Sequence, residues 1–143
     1  MALVLDASVI LAWSIPDEAS WYADAVQDAL ASGQTAIAPC HWPVEIANGL
    51  LTAERRGRID MAGIDAFLED LEFTPIQTEE ASLRAARTSI MELPRRHGLT
   101  PYDAAYLELA HRRAEPLATL DNRLVSAARA SNVPLWRPPR SSA

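Results

Sequence analysis

The chain has 143 residues, of which 49% are hydrophobic and 22% are charged, a composition usual for one soluble globular domain. No apolar run approaches the roughly 20 residues of a membrane helix, and no basic segment precedes an apolar one at the N-terminus. The formal net charge of −6 excludes nucleic-acid binding by electrostatics alone. The single cysteine, Cys40, cannot form an internal disulfide. We expect one cytoplasmic domain over residues 1–143, with a frayed tail from about residue 138.

Short apolar segments alternate with helical segments along the chain. Strands are predicted at Leu3–Asp6, Ala36–Ala38, Leu117–Asp121 and Val133–Trp136, with a brief strand or extended connection at Phe73–Ile76. The alternation of strands and helices predicts an α/β fold, with a central parallel sheet flanked by helices on both faces.

Helices are predicted from the spacing of apolar residues and from start and stop signals. They cover Asp17–Leu30, Val44–Arg56, a segment beginning at Asp60, Thr78–Leu93, Thr100–Arg113 and a segment beginning at Asn122. The predicted N-caps include Asp17, Asp60 and Thr78. Gly57 and Pro94 are the predicted ends of the second and fourth helices.

Four carboxylates lie at element ends in apolar surroundings: Asp6, Glu45, Asp103 and Asp121. Asp6 and Asp121 each end a predicted strand. If these strands are parallel neighbours, both side chains lie at the edge of the sheet where α/β proteins bind ligands. Each carboxylate also has a structural interpretation, because Asp103 and Asp121 suit helix caps and Glu45 suits the positive end of a helix dipole.

The four carboxylates make chemical sense together only if a cation binds them. Two carboxylates about 4 Å apart repel by roughly 4 kcal/mol at an effective dielectric constant of 20. A hard divalent cation such as Mg²⁺ removes this repulsion, and it binds carboxylate oxygens together with water and phosphate. Such ions promote phosphodiester hydrolysis. The residues therefore predict a metal-dependent nuclease.

Other acidic α/β sites do not fit this sequence. A phosphatase of the haloacid dehalogenase type requires a second Asp two positions after the strand-end Asp, where this chain has Ser8. A response-regulator receiver requires a lysine, and the chain contains none. A dinucleotide site requires a glycine-rich turn after the first strand, but the first glycine is Gly33.

Four stretches resemble, in the correct order, the PIN-domain family and in particular its VapC-type toxins. They are LVLDAS at 3–8, PVEIAN at 43–48, LTPYDAAY at 99–106 and LATLDNRL at 117–124. The resemblance implies a toxin of a type II toxin–antitoxin system. Its activity would be that of an endoribonuclease dependent on Mg²⁺ or Mn²⁺, which hydrolyses RNA phosphodiester bonds with metal-activated water.

The resemblance also assigns roles to residues. The catalytic and metal-binding set would be Asp6, Glu45, Asp103 and Asp121, while Ser8 and Thr119 would orient these carboxylates. Many relatives carry an acidic residue where this chain has Arg123. This departure favours one bound ion over two, and Asn122 is the nearby residue that could supply a neutral oxygen.

The resemblance further implies a VapB-type antitoxin as partner and a homodimer. No membrane association is expected, because the sequence lacks an apolar run of membrane-spanning length. Arg95 and Arg96 precede the Asp103 helix and are candidates for RNA binding, although they also suit an ordinary solvated loop. No catalytic role is assigned to His41, His97 or His111, because their spacing pairs none of them. Two alternatives stay open: a PIN nuclease of RNA maturation or turnover without an antitoxin, and a non-catalytic PIN scaffold.

Overall fold

The computed structural model describes residues 2–140. Its centre is a sheet of four parallel strands in the order β3-β2-β1-β4. The strands are β1 (Ala2–Leu5), β2 (Thr35–Pro39), β3 (Ile76–Glu79) and β4 (Leu117–Ala118). Val4 pairs with Ile37 on one side and with Leu117 on the other. The predicted α/β fold with a parallel sheet is confirmed, and β1 and β4 are neighbours.

Helices connect the strands and cover the sheet. They are α1 (Ala7–Ser14), α2 (Trp21–Ala31), α3 (Trp42–Arg55), α4 (Met61–Leu71), α5 (Leu83–Ala85), α6 (Met91–His97), α7 (Pro101–Arg113) and α8 (Asn122–Ala130). A 3₁₀ turn lies at Pro16–Glu18, and a π-helical turn at Ala86–Ile90 joins α5 to α6. None of the helices within residues 2–140 has the length and apolar character needed to cross a membrane.

The core is built around β1, whose residues Leu3, Val4 and Leu5 are completely buried. This burial is typical of a parallel strand covered on both faces. Helix α7 packs against both β1 and β2, and its Tyr106 is the largest fully buried side chain among residues 2–140. The core therefore holds α7 against the central strands, next to the carboxyl end of β1.

The first strand and the first helices differ from the prediction. Strand β1 ends at Leu5, and α1 begins at Ala7. Helix α1 was not predicted, because it packs against both α2 and α3 and lacks the one-sided apolar pattern of a surface helix. The predicted cap Asp17 is also wrong. The cap is Ser20, whose hydroxyl accepts hydrogen bonds from two backbone amides of α2, whereas Asp17 pairs with Arg58.

The segment after α4 also differs. Thr78 was predicted to cap a helix, but it lies in β3 and pairs with Ala38 of β2. The predicted strand Phe73–Ile76 therefore lies too early. The helical segment begins later, where Ser82 accepts a hydrogen bond from the Ala85 amide. Pro94 lies within α6, which ends at His97 and has as its C-cap Gly98, a residue in the left-handed conformation that glycine favours.

Three boundaries are corrected at other elements. Helix α3 begins at Trp42, two residues before the prediction. Strand β4 covers only Leu117–Ala118. The predicted strand Val133–Trp136 is reduced to an isolated bridge between Leu135 and Leu117. Residues 137–140 have neither helix nor strand, and the predicted frayed tail otherwise lies outside the described residues.

Candidate active site

Asp6 lies directly after β1 and is the N-cap of α1. Its side chain is buried, with 3% of the residue exposed. Its Oδ2 accepts hydrogen bonds from the Ser8 hydroxyl at 2.5 Å, the Thr119 hydroxyl at 2.8 Å and the Ser8 amide at 3.4 Å. These three hydrogen bonds fix the plane of the carboxylate and leave Oδ1 as the oxygen suited to a ligand.

Two hydroxyl groups connect Asp6 to the segment that follows β4. The Asp121 amide donates to Thr119 Oγ1 at 3.0 Å, and the Leu120 amide donates to Ser8 Oγ at 2.9 Å. The Ser8 and Thr119 hydroxyl oxygens lie 3.3 Å apart. The end of β1 and the segment carrying Asp121 are thus held together by one hydrogen-bond network.

Asp121 caps α8, because its Oδ1 accepts hydrogen bonds from the Arg123 amide at 2.8 Å and the Leu124 amide at 3.4 Å. Asp103 lies in the first turn of α7, where its amide donates to the N-cap Thr100 at 3.2 Å. The structural interpretation of Asp121 as a cap therefore holds, and Asp103 occupies a capped first turn. Both helices begin at the site.

Glu45 lies in the first turn of α3. Its Oε1 is 2.9 Å from Nε2 of His41, which is the N-cap residue one turn earlier. The His41 ring contacts the rings of Tyr102 and Tyr106 from α7, with centroids 5.4 Å apart in each case. The spacing of four residues between His41 and Glu45 is the sequence feature that indicates this contact, which was not among the predictions.

Mutual electrostatic effects show that the carboxylates share one site. Burial raises the pKa of Asp6 to about 6, against the lowering effect of the Ser8 and Thr119 hydrogen bonds, and the charges of Asp103 and Glu45 raise it further. Burial also raises the pKa of Asp103, to which the charge of Asp121 and then that of Glu45 contribute. The four carboxylates, from the residue after β1, the first turns of α3 and α7 and the N-cap of α8, therefore form one acidic cluster.

Tyr106 lies against this cluster and was not predicted as part of it. Burial raises the pKa of its hydroxyl well above the usual range, and the charges of Glu45 and Asp6 contribute. The hydroxyl is buried and has no hydrogen-bond partner within residues 2–140. The fold thus directs this hydroxyl into the site without giving it a hydrogen-bond partner among the described residues.

The donor set suits a hard cation better than zinc. Within residues 2–140, no three His, Cys, Asp or Glu side chains form a group close enough to hold a metal ion. Mg²⁺ does not require such a group, because it commonly binds one or two carboxylates and retains several waters. Buried carboxylate oxygens with raised pKa values, as at Asp6, fit a cation of this kind.

The remaining predicted residues lie around the cluster. Asn122 is the first residue of α8 and is exposed, lining a cavity of about 470 Å³ with Arg123 and His97. Within the described residues, its side chain does not join the hydrogen-bond network of Asp6. Arg95 and Arg96 lie exposed in the last turn of α6 rather than in a loop, and Arg96 pairs with Glu92 at 3.0 Å.

Two proteins named Ribonuclease VapC3 are similar to this chain in sequence. Ribonuclease VapC3 of Pyrobaculum aerophilum is 35% identical over 126 residues, which are 87% of this chain and 92% of the relative. Ribonuclease VapC3 of Mycobacterium tuberculosis is 36% identical over 91 residues, which are 63% of each chain.

Solved structures show the same fold. PAE2754 from Pyrobaculum aerophilum superposes with a TM-score of 0.62 and 22% identity, covering 89% of this chain and 87% of that one. FitAcB from Neisseria gonorrhoeae gives a TM-score of 0.61 and 19% identity, covering 95% and 97%. Residues 3–130 match the PIN domain family. This range contains all four clustered carboxylates and all of the sheet except Ala2. The chain therefore belongs to the PIN-domain family and is of the VapC type.

Proposed function

We propose that this chain is a Mg²⁺- or Mn²⁺-dependent endoribonuclease that acts as the toxin of a toxin–antitoxin pair. The observation that carries the proposal is the acidic cluster of Asp6, Glu45, Asp103 and Asp121, which four separate segments bring to one edge of the sheet. The relatives named Ribonuclease VapC3 support the same activity.

The acidic cluster works against stability, which favours a functional origin. The pKa of Asp6 is raised by burial and by two neighbouring carboxylates, so ionising Asp6 at neutral pH lowers the stability of the folded protein. A scaffold without catalysis gains nothing from this arrangement. A nuclease gains a site for a divalent cation, and perturbed carboxylates of this kind gather at functional sites.

Each carboxylate has a proposed task. Asp6 offers Oδ1 to the cation, while Ser8 and Thr119 hold its Oδ2. Glu45, Asp103 and Asp121 bind the cation directly or through water. When bound, a divalent cation neutralises phosphate charge and lowers the pKa of a water molecule that can attack phosphorus. The protein residues orient the RNA phosphate and keep the cation at the carboxyl end of β1.

The partners are proposed from the family and from the surface. Exposed apolar side chains lie along α3 and α4: Val44, Leu51, Met61 and Leu68. Exposed apolar groups of this kind suit a partner protein, and we assign them to a VapB-type antitoxin. We also propose a homodimer, a cytoplasmic location and contact of Arg95 and Arg96 with RNA.

The proposal is tested by incubating purified protein with single-stranded and hairpin RNAs in Mg²⁺, in Mn²⁺ and in chelator. We expect cleavage that requires the metal and that disappears in Asp6→Asn. Asp65→Asn, which changes an exposed carboxylate on α4, is the matched control and keeps full activity. Cleavage that persists in chelator or in Asp6→Asn would contradict the proposed chemistry.

The biological role needs a separate measurement. Expression of the chain should arrest growth, and co-expression of a small protein encoded beside it should restore growth and copurify with the chain. Arrest that no neighbouring gene product relieves would favour a nuclease of RNA maturation or turnover.

A further inference from the structure

His41 contacts the acidic cluster, although the proposed metal-dependent hydrolysis gives no catalytic role to a histidine. It is the N-cap residue of α3, and Glu45 lies one helical turn later. Residues four apart on a helix face each other, which brings His41 Nε2 to 2.9 Å from Glu45 Oε1. The pair is largely shielded from solvent, since the two side chains are 21% and 27% exposed.

Two tyrosines of α7 hold the His41 ring in place. The rings of Tyr102 and Tyr106 meet it edge to face, with interplanar angles of 62° and 78° and centroid distances of 5.4 Å. Edge-to-face contacts of aromatic rings are favourable beyond the area they bury. Because α7 also carries Asp103, the histidine joins the Glu45 helix to the Asp103 helix.

The contact places His41 Nε2 against a glutamate oxygen that is shielded from solvent. His41 Nε2 and Glu45 Oε1 are both buried, and within residues 2–140 neither has a hydrogen-bond partner beyond their mutual ion-pair contact at 2.9 Å. The terminal torsion of a glutamate is broad, so close polar contacts such as that with His41 decide the orientation of the carboxylate. Ser8 and Thr119 perform the corresponding task for Asp6.

We propose that His41 is a positioning residue for the metal site, and that it orients the Glu45 carboxylate through Nε2 while Tyr102 and Tyr106 fix its ring. This rests on the proposed function, in which Glu45 helps to bind the divalent cation. Groups that orient ligands typically change metal affinity by about 10- to 100-fold when removed. Ser8 and Thr119 are the corresponding groups at Asp6. His41 differs from them because the position of its ring depends on contacts with α7.

The test measures Mn²⁺ affinity by electron paramagnetic resonance at fixed pH, which reports binding independently of RNA cleavage. His41→Phe keeps a ring between the tyrosines but removes Nε2, and we expect it to weaken Mn²⁺ binding by about tenfold or more. His41→Gln retains an N–H donor and should restore affinity to within about threefold of the wild type. His111→Phe, which changes an exposed histidine of α7, is the control and should leave binding unchanged.

A second variant keeps the proposal testable if His41→Phe does not fold. Tyr102 is 61% exposed, so Tyr102→Leu removes one contact of the ring with little effect on the core. It should weaken Mn²⁺ binding several-fold without lowering the unfolding temperature in chelator. Equal Mn²⁺ affinity in the wild type and in the His41 or Tyr102 variants would overturn the role of His41.

The outcomes separate this inference from the proposed function. Wild-type protein that binds no Mn²⁺ would reject the metal site itself and the His41 role with it. Binding that is lost in Asp6→Asn and unchanged in His41→Phe would retain the site and reject only the positioning role.

Discussion

Thr119 donates a hydrogen bond of 2.8 Å to Asp6 from the segment that follows the neighbouring strand. The same hydroxyl accepts the Asp121 amide at 3.0 Å. One side chain therefore supports the carboxylate after β1 and the backbone of the carboxylate after β4. The parallel pairing of β1 with β4 makes this possible, because both strands end at the same edge of the sheet.

Thr119→Val keeps the shape of this side chain and removes these two hydrogen bonds together with the 3.3 Å contact to the Ser8 hydroxyl. Loss of a group that orients a metal ligand should lower Mn²⁺ affinity by about 10- to 100-fold. The buried Asp121 amide contact is also lost, which should reduce the free energy of unfolding by about 1–3 kcal/mol. Calorimetric Mn²⁺ titration and urea unfolding measure the two effects.

Thr88→Val is the matched control for Thr119→Val, because Thr88 is exposed and its hydroxyl donates to the Arg84 carbonyl within its own helical segment. It should change neither quantity appreciably. Wild-type Mn²⁺ affinity in Thr119→Val would show that the hydroxyl does not support the metal site.

Asp6→Asn should stabilise the protein at neutral pH in chelator. The pKa of Asp6 rises from 3.8 in its ordinary state to about 6 in the folded protein. Between these values the folded state binds more protons than the unfolded state, so stability falls as pH rises from about 4 to 6. Above pH 6 the full cost remains, and we expect it to be about 1–3 kcal/mol. Asparagine removes this cost and is itself a good N-cap.

The measurement is the unfolding temperature of the wild type and of Asp6→Asn in chelator from pH 4 to pH 8. The variant should unfold several degrees higher at pH 7.5, and the difference should shrink towards pH 4. Asp65→Asn should show no such pH-dependent gain. A variant that is less stable than the wild type at pH 7.5 would contradict the charge-based explanation.

The sequence predicted the parallel sheet because short apolar runs that alternate with helical segments are a local pattern. Leu3–Leu5 is short, apolar and followed by Asp6, which is typical of a buried parallel strand ending at a ligand site. The second run at Leu117 repeats this pattern. The sequence alone does not establish that the two runs are neighbours. The structure does, because β1 pairs with β4 in parallel.

Other features depend on contacts between distant segments. Thr78 has the local signals of a helix cap, but pairing with Ala38 of β2 places it in a strand. Helix α1 is not predicted because helices pack against several of its sides, so its sequence lacks a single apolar face. His41 and Glu45 are local neighbours, yet the tyrosines that hold the histidine come from α7. Periodicity and capping rules do not contain such tertiary information.

Glu108→Gln should destabilise the protein without affecting the metal site. Glu108 is a buried carboxylate of α7, and its Oε1 accepts a hydrogen bond from Arg112 Nε at 2.8 Å. Arg112 also pairs with Glu79 of β3 at 3.0 Å. Because Arg112 is partly exposed, we expect a loss of about 1–2 kcal/mol in urea unfolding.

Glu69→Gln on the exposed face of α4 is the comparison for Glu108→Gln and should have almost no effect. Mn²⁺ affinity should be unchanged in both variants. An effect of Glu108→Gln on Mn²⁺ affinity would place Glu108 in the metal site, contrary to this expectation.

Arg95→Ala should weaken RNA binding more than Arg96→Ala. Both arginines are exposed in the last turn of α6, but the Arg96 guanidinium is already paired with Glu92. Arg95 is therefore the better candidate for a phosphate contact. The measurement is RNA binding by the catalytically inactive Asp6→Asn protein at several salt concentrations. Replacing Arg95 by Ala should weaken the affinity and reduce its salt dependence by about one phosphate contact.

Arg129→Ala, at the end of α8, is the control and gives the loss of affinity expected from removing any exposed positive charge. If Arg95→Ala and Arg129→Ala weaken RNA binding equally, then α6 contributes only general electrostatic attraction. The proposed contact of Arg95 with an RNA phosphate would then be wrong.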